Sequence, residues 1–275
     1  MNKKQKKLTQ WTTLPFIFTI VLFSNCSLKS DKSNSSPDKK VKNDWYAQKL
    51  KGNIQSIKNI KFSAKEKFGE VSKEKEYEFE NTSFNKDGNI IENENYSSDK
   101  SFYYKNITKF DAQGHKAETN SFNLDGSLSA KFVSNYDAKG NEVEENIYEP
   151  KGTLSEKRKY QFDENGNKIE SNFYRSDGSL NFKCTSTYDK NGNEVEVNFY
   201  HPNGTLNFKN SYQYDEKGNS IEESTYKENG NLDKKSNYKY EFDNNGNWLR
   251  RIDTEHDTRF ETNIIWIEER KITYY

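Results

Sequence analysis

The sequence is poor in the residues that most often build catalytic and metal sites. It contains three histidines and two cysteines in 275 residues. His115, His201 and His256 stand far apart, and no Ser-His-Asp, Cys-His or H-x-x-x-H spacing occurs. We therefore expect a protein that is not an enzyme and that holds no metal ion and no cofactor.

Aliphatic residues and clustered positive charge are also scarce. Hydrophobic residues make up 31% of the chain, and aromatic residues alone make up 15%. This composition suits a thin sheet covered by flat side chains better than a thick aliphatic core. Without residues 1–25, which carry four lysines and no acid, 39 basic residues face 43 acidic ones, a net charge of −4. Nucleic acid is not expected as a partner, because phosphate binding needs a concentrated basic face.

The longest apolar run, Leu14–Phe23, has ten residues. A membrane-spanning helix needs about 20, whereas ten apolar residues after a basic segment suit a secretory signal. With Cys26 directly behind it, the segment 1–25 resembles a bacterial lipoprotein signal peptide, which implies that Cys26 is acylated and becomes the mature N-terminus. The alternative is an ordinary secreted protein in which Cys26 is incidental. Cys184 is then left without a partner, so no disulfide framework is expected.

Residues 26–44 are predicted to form a flexible tether behind the lipidated cysteine. The segment is rich in Ser, Lys, Asp and Asn and has no aromatic residue, so it cannot bury enough surface to order itself. The resemblance to lipoproteins implies a membrane partner through the lipid and a place in the cell envelope. Ser27 after the cysteine fits sorting to the outer membrane or cell surface.

Regularly spaced glycines divide the rest of the chain into repeats. One series recurs every 26 residues and ends with a step of 28, and a second series keeps the period of 26: Gly88, Gly114, Gly140, Gly166, Gly192, Gly218 and Gly246, then Gly126, Gly152, Gly178, Gly204 and Gly230. Each unit reads as strand, turn, strand, turn. In the D-x-x-G-N turns, Asp can cap the turn backbone and Gly supplies the positive φ of a type I turn with a bulge.

Charged and aromatic columns keep the same period. Glu recurs at 92, 118, 144, 170, 196 and 222, and Lys at 105, 131, 157, 183, 209 and 235. In a normal hairpin register Tyr148 faces Leu154, which places the Glu and Lys columns on opposite faces of the sheet, without direct pairing. We expect one face to carry Tyr, Leu and Glu, and the other Val, Ile, Phe and Lys.

The aromatic-D-x-x-G-N turn with a following G-x-L resembles the YD repeats of the RHS (rearrangement hotspot) family over residues 77–250. MORN-like repeats are a second resemblance. The expected fold is all-β: an antiparallel β-meander of about six 26-residue hairpin repeats. We expect an elongated single sheet or open solenoid, with an N-terminal cap at 45–76 and C-terminal capping strands at 251–275.

The expected function is a non-catalytic binding or adhesion module whose ligand is a carbohydrate or a protein. The candidate ligand face is an aromatic ladder of Tyr148, Tyr174, Tyr200 and Tyr226, since regularly spaced tyrosines suit stacking on sugars or protein docking. The resemblance to YD repeats also implies carbohydrate binding. Two alternatives remain: the tyrosines only hold the repeats together, or the protein is a structural or accessory envelope protein related to RHS toxin systems, without a ligand.

The turn sequence "DKNGNE" offers oxygens at the first, third and fifth positions of a calcium loop, from Asp189, Asn191 and Asn193. Position six is Glu194 instead of Gly, and position twelve is Tyr200 instead of a bidentate Glu. Turn capping explains Asp and Asn equally well.

Overall fold

The computed structural model describes residues 43–99, 103–259 and 261–275. The predicted signal peptide, Cys26 and the tether up to residue 42 lie outside the described residues. Within the described ranges, no helix has the length and apolar character needed to cross a membrane.

The described residues form one short helix and sixteen strands. These elements, in chain order, are α1 (Asp44–Ala47), β1 (Ile54–Lys67), β2 (Glu70–Phe84), β3 (Ile90–Ser97), β4 (Tyr103–Phe110), β5 (Lys116–Phe122), β6 (Leu128–Tyr136), β7 (Glu142–Tyr148), β8 (Leu154–Phe162), β9 (Lys168–Arg175), β10 (Leu180–Tyr188), β11 (Glu194–Tyr200), β12 (Leu206–Tyr214), β13 (Ser220–Lys227), β14 (Leu232–Phe242), β15 (Trp248–Asp257) and β16 (Thr262–Tyr274).

The strands form a closed antiparallel barrel, so the prediction of an elongated open sheet or solenoid is wrong. Each strand pairs with its neighbours in sequence, and β1 pairs with β16 from Ile54 opposite Tyr274 to Ala64 opposite Ile265. The segments predicted to cap two separate ends therefore seal each other. Closure also removes the exposed edges that an open meander would leave for aggregation.

The glycine turns have the geometry that the sequence predicts. In the turn between β8 and β9, Gly166 has a φ of +79° and donates its backbone N–H to the carbonyl of Asp163. The Asp163 carboxylate accepts hydrogen bonds from the backbone of Asn165 and Asn167 at 2.9 and 2.8 Å. The register shifts by one residue beside this turn, between Gln161 and Phe162. Such bulges raise the local twist and favour the curvature that a barrel requires.

A second bulge lies at the other end of the repeat and changes which side chains share a face. Ile147 pairs with Glu156 and Tyr148 with Leu154, which leaves Ser155 unpaired. Lys157 consequently faces Asn146 and lies on the same face as Glu144. The prediction that the Glu and Lys columns lie on opposite faces is therefore wrong, because it assumed a hairpin without the extra residue.

The inner face of the barrel is distinguished by contacts that pass over a strand. Lys116 on β5 lies 3.6 Å from Glu145 on β7, although β6 separates their strands. Side chains from strands two apart converge in this way only on a concave surface. Among the described residues, apolar packing inside is local. One cluster is formed by Ile54, Ile57 and Phe84, and another by Phe173, Cys184 and Val197.

Tyrosines near the ends of four strands each contact the first residue of the preceding strand. The hydroxyl group of Tyr240 donates to the carbonyl of Ser220 at 2.7 Å, and Tyr214 contacts the carbonyl of Glu194 in the same way. Tyr136 and Tyr188 repeat this contact with the carbonyls of Lys116 and Lys168. Each of these tyrosines thus links the two strands of one hairpin.

Residues 43–53, here called the strap, cross one mouth of the barrel. This mouth, the capped end, carries the turns of Gly88 to Gly246. At one side of it, the backbone N–H of Trp45 donates to the carbonyl of Gly88 at 3.1 Å. At the far side, Lys49 donates to the carbonyl of Gly218 at 2.5 Å, and the N–H of Lys51 donates to Asn247 at 2.8 Å.

Candidate functional site

The four predicted ligand-face tyrosines lie on the outer face, each at the end of the first strand of a hairpin. Tyr148, Tyr174, Tyr200 and Tyr226 are all half-buried and occur on alternate strands from β7 to β13. Strands about 4.8 Å apart place consecutive tyrosines about 10 Å apart. The structure therefore brings the four residues onto one line, as the periodicity predicts.

Each tyrosine of this ladder has the same two neighbours. A lysine lies opposite it on the preceding strand, and a leucine lies opposite it on the following strand. The groups are Lys131, Tyr148 and Leu154; Lys157, Tyr174 and Leu180; Lys183, Tyr200 and Leu206; and Lys209, Tyr226 and Leu232. Because the lysine stem and the leucine flank the ring, each tyrosine both holds the sheet and presents part of its surface to solvent.

The Glu and Lys columns form ion pairs between the tyrosines. The members of all six pairs are thirteen residues apart, on neighbouring strands. The N–O distances, in chain order, are 2.9 Å for Glu92–Lys105, 2.6 Å for Glu118–Lys131, 3.4 Å for Glu144–Lys157, 2.7 Å for Glu170–Lys183, 3.1 Å for Glu196–Lys209 and 2.8 Å for Glu222–Lys235. The outer face thus carries a charged band around strands β3 to β14.

In several of these pairs the contacts favour the ionised carboxylate. Hydrogen bonds from Lys131, Lys109 and Asn120 lower the pKa of Glu118 to about 2. A hydrogen bond from Lys183, with a second from Asn172, likewise lowers the pKa of Glu170.

One tyrosine of the ladder borders a shallow surface groove of about 410 Å³. Tyr226 lies there with Glu196 and Lys209, and Leu206 and Lys227 complete much of its lining. The Lys209 ammonium lies 5.3 Å from the centre of the Tyr226 ring. The groove therefore combines an aromatic ring with hydrogen-bond donors and acceptors, the mixture that sugars and polar peptides require.

The inside of the barrel is charged as well, which the sequence analysis missed. Lys116 lies 3.9 Å from Glu142 and 3.6 Å from Glu145, and Arg158 contacts Glu145 at 2.9 Å. Burial lowers the pKa of Lys116, but the two carboxylates raise it above its ordinary value. The sequence does contain a pattern that could have indicated these inner charges. The residues directly after the turns form a column whose four middle members alternate in charge: Ile90, Lys116, Glu142, Lys168, Glu194 and Ser220.

The remaining residues singled out in the sequence have local structural contacts. Asp189 accepts hydrogen bonds from the backbone of Asn191 and Asn193, so turn capping accounts for its carboxylate. His115 stacks on Tyr136, with ring centres 4.6 Å apart. Cys184 is buried, which raises the pKa of its thiol to about 12 and keeps it protonated. Over the described ranges, no three His, Cys, Asp or Glu residues are grouped to hold a metal ion.

No family model matches the chain, and no curated protein matches it in sequence. A porin-like protein from Bacteroides uniformis has a similar fold, with a TM-score of 0.56 and 8% identity over 80% of this chain and 96% of that one. A porin-like protein from Bacteroides vulgatus has a TM-score of 0.32 and 14% identity, over 81% and 98% of the two chains. The Photorhabdus luminescens Tc holotoxin pore has a TM-score of 0.29 and 13% identity, and the match spans 69% of this chain but 12% of the toxin chain. The first of these similarities concerns the fold alone.

Proposed function

We propose that the protein is a non-catalytic binding module of the cell envelope, tethered to a membrane surface by a lipid on Cys26. Its barrel lies in water beside the bilayer, and its outer tyrosine ladder contacts a glycan or a protein. The observation that carries this proposal is the outer face itself, where six Glu–Lys pairs alternate with evenly spaced tyrosines.

The charge of the outer face argues against insertion of the barrel into lipid. A membrane barrel presents an apolar band about 25 Å tall, and one Arg or Lys at the bilayer midplane costs about 2–4 kcal/mol. Here the outer face of strands β3 to β14 carries a Glu or Lys of these pairs on each strand. The Bacteroides uniformis protein of similar fold is named porin-like. An envelope location fits that name, but the charged outer face favours a tethered barrel over a spanning one.

Partition of the full chain and its Cys26→Ser variant tests the location. We expect the full chain to sediment with membranes and Cys26→Ser to stay in the soluble fraction, because the lipid is the only attachment in this proposal. A Cys26→Ser protein that remains in membranes after a salt wash would contradict the proposal. Incorporation of a palmitate analogue into the wild type, and not into the variant, tests the modification itself.

The ladder is tested by substitutions that shorten it. If the outer face binds an extended ligand on a glycan array, Tyr174→Ala and Tyr200→Ala should each weaken binding by about 1–2 kcal/mol, as for a typical aromatic contact. Tyr240→Phe, inside the barrel, is the matched control and should leave binding unchanged. Equal affinity of the folded Tyr174→Ala, Tyr200→Ala and wild-type proteins would remove the ladder from the binding site.

A structural or accessory envelope role without a ligand is the second candidate. The observation that favours it is the packing of each ladder tyrosine between Lys and Leu, as for Tyr226 with Lys209 and Leu232. In that case Tyr174→Ala and Tyr200→Ala lower the melting temperature, and no glycan or protein is retained by the wild-type chain.

A further inference from the structure

Lys168 belongs to the inner column of residues that directly follow the turns, and its ammonium lies over an aromatic ring. It begins β9, directly behind the turn of Gly166, at the capped end of the barrel. Its Nζ lies 3.7 Å from the centre of the Tyr160 ring. Among the described residues, no carboxylate comes within 4.0 Å of this ammonium, whereas Lys116 in the same column has two such partners.

The carboxylates nearest to Lys168 are already engaged. Glu142 and Glu145 attract its charge, but both contact Lys116, and Glu145 also accepts from Arg158 at 2.9 Å. Glu194 is the next acidic residue of the column. Burial raises its pKa, and it accepts hydrogen bonds from Ser186 and Tyr188. Lys168 therefore lies on the inner wall close to two further cations, Lys116 and Arg158, which already have carboxylate partners.

The position of Lys168 is enclosed but retains accessible surface. Burial is the largest influence on the pKa of Lys168 and lowers it. The residue nevertheless remains partly accessible to solvent, and the side chain of Lys116 in the same column is 38% exposed. Groups that are surrounded by strands and still accessible face an interior space. The strap crosses this end of the barrel. Its Asp44 accepts a hydrogen bond from the backbone of Ile90 at 2.6 Å, and its Lys49 donates to Asn193, directly before Glu194, at 2.9 Å.

We propose that this wall of the barrel interior is a binding site for a small oxyanion, a phosphate or a carboxylate, which pairs with the Lys168 ammonium beneath the strap. Lys116 and Arg158 lie nearby with their own carboxylate partners, and the Tyr160 ring holds the lysine in place. An unpaired enclosed ammonium is costly, and a charge-assisted hydrogen bond to an anion offsets that cost. The site is independent of the outer ladder and of the lipid anchor.

Titration of the purified full chain with inorganic phosphate and with acetate, at fixed ionic strength in chloride, tests the site. We expect calorimetry to show saturable binding of at least one of the two anions. Lys168→Met should weaken it about tenfold or more, the loss expected for one charge-assisted hydrogen bond. Lys168→Arg should retain binding, and Lys190→Met, an exposed turn lysine of the neighbouring repeat, should bind like the wild type.

Thermal melting of the same variants makes the result decisive. Because Lys168→Met removes an enclosed charge without an ion-pair partner, the variant should be at least as stable as the wild type when neither anion is present. Binding of phosphate alone or acetate alone identifies the preferred anion class. Absence of binding of both anions to the wild type, unchanged binding by Lys168→Met, or unfolding of that variant would each overturn the proposal.

Discussion

The Lys183 ammonium donates a hydrogen bond to the Glu170 carboxylate at 2.7 Å, from the next strand of the barrel. The two residues are diagonal neighbours, because Lys183 lies directly opposite Asn172. Equivalent Glu–Lys ion pairs occur in five other repeats, so this pair is a recurring feature of the outer face. The pairs link the two strands of a repeat and leave the tyrosines between them exposed at one edge.

Exchange of the two charges tests whether the pair stabilises the barrel. Lys183→Glu places two carboxylates side by side, so the free energy of unfolding should fall by about 1 kcal/mol. The double variant Glu170→Lys, Lys183→Glu should recover most of that loss. Urea denaturation measures both values, and Lys190→Glu is the control for a change of net charge. A double variant no more stable than Lys183→Glu would show that the pair has no coupling.

Acid should weaken the barrel through Glu118. Its pKa is about 2 in the folded protein, below the ordinary value of 4.5. A carboxylate with a lowered pKa contributes stability above its unfolded pKa, and that contribution is lost as the pH falls toward the folded pKa. The difference in stability between the wild type and Glu118→Gln should therefore be largest near neutral pH and shrink from about pH 4.5 to about pH 2. A difference that stays constant over this window would contradict the assignment.

Two glycines with the same backbone conformation test the strap. Gly88 and Gly114 both have a φ of +84°, so alanine should cost each about 1–2 kcal/mol from the backbone alone. A Cβ at Gly88 would lie 2.6 Å from the ring of Trp45, whereas a Cβ at Gly114 meets nothing within 4 Å. Gly88→Ala should therefore be the less stable variant and should speed hydrogen exchange in residues 43–53. Equal exchange in the two variants would show that the strap does not depend on this contact.

The repeat predicts the strands and the outer ladder well. Periodic glycines mark the turns, and alternation along each strand places Tyr148 and its equivalents on one face. The side assigned to Lys157 is wrong, because one unpaired residue, Ser155, reverses the alternation and no residue type marks that bulge. The inner charges of Lys116 and Glu142 were missed because the charged columns considered were those within the strands, and the positions directly after the turns were not compared with one another.

Closure of the barrel depends on residues outside the repeat. The pairing of β1 with β16 joins positions more than 200 residues apart, such as Lys58 and Lys271, and neither strand follows the 26-residue pattern. The strap contacts are equally remote, since Lys49 reaches the turn of Gly218. A repeat predicts how neighbouring units pack but does not determine whether the two ends of the array meet.

A disulfide across the closing seam tests the central claim most directly. Lys58 and Lys271 lie opposite each other and are both exposed, and residues opposite each other in an antiparallel pair have Cα atoms about 4.5–5.5 Å apart, within the range for a disulfide. In a Cys184→Ser background, the Lys58→Cys, Lys271→Cys protein should oxidise within one chain and migrate faster on a non-reducing gel. In an open sheet of the same repeats these positions would be roughly 65–80 Å apart. Free thiols or only cross-linked dimers after oxidation would therefore contradict the closed barrel.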